Sequence, residues 1–229
     1  EFMMGSPAEE PGRGDDERQH RVILTRRVAV SATAVSQGEW SQLVEANPSS
    51  VHGPNLPVHN ATWADAIWFC NALSRRKGLR EYYMIRGARG TPGRDLSVTS
   101  VERPDQDCDG YRLLSESEWE YLARALHTGA FVGGAQDAAG LAAHAWYAEN
   151  SAGAPHDVGR RAPNAWGLFD VTGNVWEWVW DWYGRFPRTS HRDPGGPASG
   201  PARVLRGGSF LEPPDRCRLA AREHSPPDT

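Results

Sequence analysis

The sequence has little of what marks an exported, membrane-bound or nucleic-acid-binding protein. It contains no apolar run of roughly 18 residues and begins without the basic and apolar segments of a signal peptide. Its formal net charge is -4, whereas a nucleic-acid or anionic-membrane surface needs a basic excess. These absences predict a globular protein with neither a membrane nor a nucleic-acid partner, and we expect it in the cytoplasm.

Metal-site and catalytic motifs are also scarce. The three cysteines, Cys70, Cys108 and Cys217, form no CxxC pair, so neither a zinc ribbon nor a disulfide framework is indicated. The eight histidines lack HxxxH and HxxE spacing, which excludes the usual helical zinc and iron motifs. Ser209 follows two glycines but has no GxSxG elbow around it, so a serine hydrolase is not indicated either.

Tryptophan, in contrast, is abundant, with ten residues in a chain of 229. Four of them occupy alternate positions, at Trp176, Trp178, Trp180 and Trp182. A period of two is typical of a strand that places one face in a single environment. Because indoles at this spacing usually form a core layer, we expect the tryptophan face of the strand to be buried.

A polar turn precedes this strand. Asp170 and Glu177 flank a run of turn-forming residues that includes Gly173. Acidic groups beside a turn are usually only solvated. The alternative is a hard-cation site, since calcium takes about six to eight oxygens from carboxylates, carbonyls and water.

Helix-capping pairs predict where the helices begin. Ser36 with Glu39, Thr62 with Asp65, and Ser115 with Glu118 have the three-residue spacing of a capping box. Short strands are predicted at residues 21–30, 81–85, 96–101 and 203–206, with long loops between them. No internal repeat is present, so the pattern predicts one α+β domain over residues 1–229.

Several charged segments are typical of solvent-exposed structure. Residues 6–20 are rich in proline, glycine and charge and predict an exposed loop. Glu116 and Glu120 are four residues apart on a predicted helix and predict a solvated face.

Five phrases, in order along the chain, carry a resemblance to a known family. They are FMMGS at 2–6, DAIWFCN at 65–71, GYRLLSESEWEYLAR at 110–124, PNAWGLFDVTGNVWEW at 163–178 and RVLRGGSF at 203–210. On these phrases the chain resembles the formylglycine-generating enzyme family, that is, the sulfatase-modifying factor domain. The resemblance implies a C-type-lectin-like α+β fold with few short strands, two or three helices and long ordered loops. We expect the domain to be part of a longer chain.

The resemblance also implies a calcium site. Family members hold calcium with the residue that opens the turn, two backbone carbonyls and the glutamate. These map here to Asp170, Gly173, Val175 and Glu177. Calcium held in this way would tie the turn to the strand and stabilise the fold without taking part in chemistry.

At the catalytic positions the chain departs from its relatives. The oxidases of the family convert a substrate cysteine to formylglycine with oxygen and copper(I), which is held by a C-x4-C pair after the GGS sequence. Copper(I) selects soft thiolates, and a two-coordinate site needs both of them. Here Glu212 stands at the first position and Cys217 at the second. A lone Cys217 favours a small buried core residue over a ligand, so copper and the oxidase reaction are not expected and no catalytic residue is predicted.

Two functions remain open. The first is a module that binds a protein or peptide ligand, or a fused domain, within a larger bacterial signalling or effector protein. Its groove would by family analogy be lined by Trp176, Ser209, Phe210, Glu212, Arg216 and Cys217. The alternative is a copper-independent oxidoreductase or tailoring enzyme of the same superfamily.

Overall fold

The computed structural model describes residues 1–103, 108–135 and 137–228. Within them lie four α-helices: α1 (Gln37–Trp40), α2 (Trp63–Arg76), α3 (Glu116–Arg124) and α4 (Ala138–Leu141). The strands are β1 (Phe2–Met4), β2 (His20–Ile23), β3 (Met84–Arg86), β4 (Ser100–Glu102), β5 (Glu177–Trp182), β6 (His191–Arg192), β7 (Arg203–Arg206) and β8 (Arg222–Ser225). Single 3-10 turns lie at Val132–Gly134 and Pro214–Cys217.

The strands form three small sheets, of order β1-β2-β6, β3-β4 and β5-β7-β8. Only the β2–β6 pair is parallel; the others among these strands are antiparallel. The chain divides into two compact units. The first comprises Glu1–Ala34 with Leu114–Ser225, and the second comprises Val35–Leu113 with Pro226–Thr229.

The three predicted capping boxes are confirmed. Ser36, Thr62 and Ser115 are the N-caps of α1, α2 and α3, and in each case the side chain accepts a hydrogen bond from the backbone of the third helical residue. The acidic side chain at that position reaches back to the N-cap backbone, so two orphan donors are satisfied at each helix start. These contacts are local, which is why the sequence predicts them well.

Each unit has its own apolar core. In the second unit, Trp40 stacks on Phe69 with ring centroids 5.1 Å apart, and Val44 packs beside them. In the first unit the core cluster is formed by α3, β5, β7 and the segments around them. Its buried members are Trp119, Ala123, Phe131, Val132, Leu141, Ala145, Tyr147, Val179, Val204, Cys217 and Leu219.

The predicted burial of the tryptophan face of β5 is wrong. Val179 and Asp181, on the opposite face, are the buried residues of this strand, while its tryptophans remain partly exposed. The guanidinium of Arg203 lies over the ring of Trp182 at 3.5 Å and over that of Trp180 at 4.8 Å. A cation on the indole faces therefore takes the place of an apolar layer.

The predicted solvated face of α3 is also wrong, because Glu116 and Glu120 are buried. Glu120 has no exposed surface and accepts hydrogen bonds from the Gly5 amide at 2.7 Å, Arg124 Nε at 2.9 Å and Arg206 Nη2 at 2.5 Å. A buried carboxylate is tolerated when charged donors surround it, and here two guanidinium groups do so.

The N-terminal segment is not an exposed loop either. Within residues 6–20, Ser6, Glu17 and His20 are buried. Glu17 accepts hydrogen bonds from both terminal nitrogens of Arg218, at 2.6 and 2.8 Å. This pair fixes the N-terminal segment of the first unit against the last part of that unit.

Candidate functional site

The turn before β5 has a strained and closely packed backbone. Asp170, Gly173 and Asn174 all have positive φ, at 53°, 74° and 57°. A Cβ on Gly173 would lie 2.2 Å from the carbonyl oxygen of Trp146, so only glycine fits there. The Gly173 amide donates to the Gly207 carbonyl at 2.8 Å, and the Asn174 amide donates to that of Trp146 at 2.7 Å.

The two predicted carboxylates of this turn influence each other. Asp170 Oδ2 accepts from the Gly159 amide at 2.6 Å, and Glu177 Oε2 accepts from the indole N–H of Trp119 at 2.7 Å. Burial raises the pKa of Asp170. Burial also raises the pKa of Glu177 to about 7, and the nearby charge of Asp170 adds to that increase. Two carboxyl groups with raised pKa values that lie close together suit a cation between them.

The residues at the turn fit calcium. Asp170 is 4% exposed, and its Oδ1 atom is buried without a hydrogen-bond partner, as is Oγ1 of Thr172. Unsatisfied buried oxygens are rare in folded proteins, and a bound cation or water would account for them. No cluster of three or more histidine, cysteine, aspartate or glutamate side chains placed to hold a metal occurs in the described residues. A calcium ion here would therefore need backbone carbonyls such as those of Gly173 and Val175 in addition to Glu177.

The segment 207–217 packs against this turn and forms the rest of the candidate site. The Phe210 amide donates to the Asn174 carbonyl at 2.8 Å, which joins the segment to the turn. The indole N–H of Trp176 donates to Glu212 Oε1 at 3.3 Å, and the Arg216 guanidinium lies 5.6 Å from the Trp176 ring centroid. The structure thus brings the indole of Trp176 together with a carboxylate and a guanidinium that lie more than thirty residues further along the sequence.

Cys217 lies beneath this surface and not on it. Its side chain has no exposed surface, and a Cβ on Gly208 would lie 2.7 Å from its Sγ atom. Burial, together with the charges of Glu212 and Asp215, raises the pKa of the thiol to about 12. At neutral pH the side chain is therefore a protonated, packed thiol, which is the structural role that the sequence favoured.

The predicted groove residues differ in accessibility. Trp176, Phe210, Glu212 and Arg216 are partly exposed, whereas Ser209 is 9% exposed. The Ser209 side-chain oxygen accepts from the Leu211 amide at 3.3 Å, so it shapes the loop.

Sequence reasoning missed two residues of this surface. Leu211 is 63% exposed at the tip of the loop, and Glu223 on β8 forms an ion pair with Arg216. Exposed leucines are common, so Leu211 alone gives no signal. Glu223 reaches the site only through the pairing of β8 with β7, which no sequence motif marked.

The chain resembles known proteins in both sequence and fold. The sequence matches the sulfatase-modifying factor enzyme 1-like domain over residues 1–229. The chain belongs to this family. Two solved structures share its fold: variable protein 1 of Treponema denticola (TM-score 0.83, 28% identity, covering 100% of this chain and 87% of that one) and PvdO from Pseudomonas aeruginosa (TM-score 0.75, 26% identity, covering 99% and 85%). The α+β fold expected from the resemblance is confirmed.

Relatives of this sulfatase-modifying factor domain include proteins named as an enzyme, a chaperone and a kinase. The formylglycine-generating enzyme of Streptomyces coelicolor is 29% identical over 100% of this chain and 83% of its own length. The chaperone protein LppX of Paenibacillus barcinonensis is 29% identical over 65% of this chain and 60% of its own. The serine/threonine-protein kinase pkn1 of Chlamydia pneumoniae is 44% identical over 28% of this chain and 11% of the kinase. The match to LppX thus spans less than two thirds of that relative.

Among the helices in the described part of the chain, none combines the length and the apolar character needed to cross a membrane.

Proposed function

We propose that this sulfatase-modifying factor domain is a ligand-binding module without formylglycine-generating activity, and that it works as part of a larger signalling or effector protein. Its ligand is a protein or peptide segment that contacts the surface around Trp176, Phe210, Leu211, Glu212 and Arg216. Calcium bound at the turn before β5 would hold that surface in place.

The observation that carries the proposal is the pair of side chains at Glu212 and Cys217. Glu212 and Cys217 both lie in segment 207–217, and the charge of Glu212 contributes to the raised pKa of the Cys217 thiol. Copper(I) in the family's oxidases is held by two thiolates, and a hard carboxylate is a poor substitute for a soft one. The sequence of the first unit contains no cysteine besides Cys217.

The exposed part of the surface suits recognition of a peptide. An indole face, an apolar Leu211 tip and groups of both charge signs are a common composition of binding surfaces. Two relatives support a binding role within larger proteins. One is named a chaperone protein, and in the other, a named kinase, the match occupies 11% of the chain.

Calcium would be held by Asp170 and Glu177 with the carbonyls of Gly173 and Val175. The ion would supply positive charge between the buried carboxylate of Asp170 and the partly buried carboxylate of Glu177. Because the turn also bonds to segment 207–217 through the Gly173 and Asn174 backbone, its order is expected to set the order of the groove.

The test measures calcium and copper in the purified domain together with oxygen uptake in the presence of a CxPxR peptide. We expect about one calcium per chain, no copper and no oxygen uptake. Stoichiometric copper(I) binding or peptide-dependent oxygen uptake by the natural sequence would overturn the proposal.

A pair of variants tests the position of Glu212 directly. Glu212→Cys restores a second thiol beside Cys217 and should bind copper(I) more tightly than the natural sequence. Pro213→Cys adds a thiol one residue away and serves as the matched control. Equal copper affinity in both variants would mean that Glu212 does not stand at the ligand position.

A further inference from the structure

Two segments of the first unit concentrate positive charge. Residues 18–30 and 185–192 together contain seven arginines, no lysine and no aspartate or glutamate. These arginines are Arg18, Arg21, Arg26, Arg27, Arg185, Arg188 and Arg192, and all seven are exposed. In a chain whose net charge is -4, this is a strong local asymmetry.

The fold places these two segments side by side. The parallel pairing of β2 with β6 sets Val22 opposite His191 and Ile23 opposite Arg192. Asp193, the first carboxylate after the second segment, is engaged by Thr25, whose amide and hydroxyl donate to it at 2.7 and 2.5 Å. Burial alone would raise the pKa of Asp193, but these hydrogen bonds and the charges of Arg26 and Arg192 lower it.

Ion pairs neutralise little of this positive charge in the described residues, although the carboxylate of Asp193 interacts with the charges of Arg26 and Arg192. Arg21 pairs with Glu1, and over the described ranges it is the one arginine of the seven that forms an ion pair. We call the surface formed by the seven arginines the arginine edge.

The sheet at the arginine edge presents both apolar and backbone groups. The strand registers place Met3, Arg21, Ile23 and Arg192 on one face, opposite to the face that buries Met4. Met3 is 47% exposed. Strand β6 is at the end of the order β1-β2-β6, so its outer side has no strand partner in the described residues.

We propose that the arginine edge binds an extended acidic peptide segment of a protein partner, which adds as a strand beside β6. Backbone hydrogen bonds to β6 would give the segment its register, and its carboxylates would pair with the arginines. Alternate apolar side chains of the segment would pack on the face of the sheet that carries Ile23. The site is separate from the Trp176 groove and does not depend on it.

A peptide suits this surface better than a nucleic acid. The seven arginines belong to the paired strands β2 and β6 and to the segments next to them, and Ile23 supplies apolar surface on the same sheet. The edge strand β6 is a ready template for another chain. Nucleic-acid surfaces combine a wider basic excess with stacking aromatics, and the negative charge of the whole domain opposes a long polyanion.

The test is fluorescence anisotropy with a labelled peptide of alternating glutamate and valine, about 12 residues long, which is enough for one strand. Three other probes are a lysine–valine peptide, oligothymidylate, and vesicles of phosphatidylserine with phosphatidylcholine. We expect binding of the glutamate–valine peptide alone, and weaker binding as the salt concentration rises.

The double variant Arg188→Glu/Arg192→Glu should weaken that binding about tenfold or more, since attractive pairs become repulsive. The control variant Arg89→Glu/Arg94→Glu makes the same charge change at exposed positions of the second unit and should leave the binding unchanged. Hydrogen exchange at residues 188–193 should slow when the peptide is bound.

Three results would overturn the proposal. They are no binding of the glutamate–valine peptide, equal losses in the two double variants, or preferential binding of oligothymidylate or vesicles.

Discussion

Removing the charge of Glu120 should destabilise the domain strongly. This carboxylate is fully buried and lies 2.5 Å from Arg206 Nη2 and 2.8 Å from Arg124 Nη2. In Glu120→Gln, one of the two oxygens becomes an amide donor that faces a guanidinium, and two buried cations lose their main counter-charge. Breaking a buried pair by removing one partner costs about 3–5 kcal/mol. For a chain of this size that corresponds to a drop in melting temperature of about 10 °C.

The pH dependence gives the same prediction an independent readout. Burial would raise the pKa of Glu120, but Arg124, Arg206 and the Gly5 amide lower it below its ordinary value of 4.5. The stability contributed by the ionised carboxylate is therefore complete above that value and is lost as the pH falls through the lowered pKa. The difference in melting temperature between the natural chain and Glu120→Gln should be full at pH 7 and shrink in acid.

Differential scanning calorimetry of both proteins across this pH range is the assay. Glu149→Gln, at an exposed position, is the matched control and should change stability by less than about 0.5 kcal/mol. A loss of under about 2 °C in Glu120→Gln at pH 7 would refute the reasoning, because the pair would then be worth no more than a surface ion pair.

Three further predictions concern the turn, the groove and the N-terminal segment. Asp170→Asn should abolish the calcium-dependent rise in melting temperature, and an undiminished rise would place the ion elsewhere. Gly208→Ala should lower the free energy of unfolding, measured by urea denaturation, by about 1–3 kcal/mol. Gly208 has a φ of +80°, and the new methyl group would lie 2.7 Å from Sγ of Cys217. An unchanged denaturation midpoint would contradict this packing. Glu17→Gln should lower the melting temperature at pH 7, because Arg218 loses a buried charged partner. The loss should shrink in acid, because Arg218 lowers the pKa of Glu17 against the effect of burial and the carboxylate is protonated only as the pH falls through that lowered value. A loss that does not change with pH would mean that the charge of Glu17 does not stabilise the fold.

Local features of the fold could be predicted from the sequence. The N-caps Ser36, Thr62 and Ser115 begin helices where the sequence places them, because a capping box involves residues only three apart. The β7 strand also lies where it was predicted, at Arg203–Arg206. The predicted strand at 21–30 is shorter, since it ends at Ile23.

The burial of charged side chains could not be predicted in this way. Glu120 and Arg206 are 86 residues apart in sequence, and Glu17 and Arg218 are 201 residues apart. At that separation no periodicity relates the partners, so a buried carboxylate has the same local pattern as a solvated one. The tryptophans of β5 illustrate the same limit, because Arg203, on the neighbouring strand, decides their environment.

For the candidate site, analogy with the family predicted which residues meet but not how exposed each of them is. Trp176 and Glu212 do lie together, 3.3 Å apart at their polar atoms. The burial of Cys217 and the ion pair from Glu223 depend on how β7 and β8 pair, which the sequence does not encode in any short motif.

The ion pair between Glu17 and Arg218 constrains how the first unit is made. A ribosome adds roughly 5–20 residues per second, so Glu17 is synthesised about ten seconds or more before its arginine partner. During that interval the N-terminal strands have no native anchor at this position. The unit therefore completes its structure only after residue 218 has left the exit tunnel, and a nascent chain arrested before that point would display the segment to chaperones and proteases.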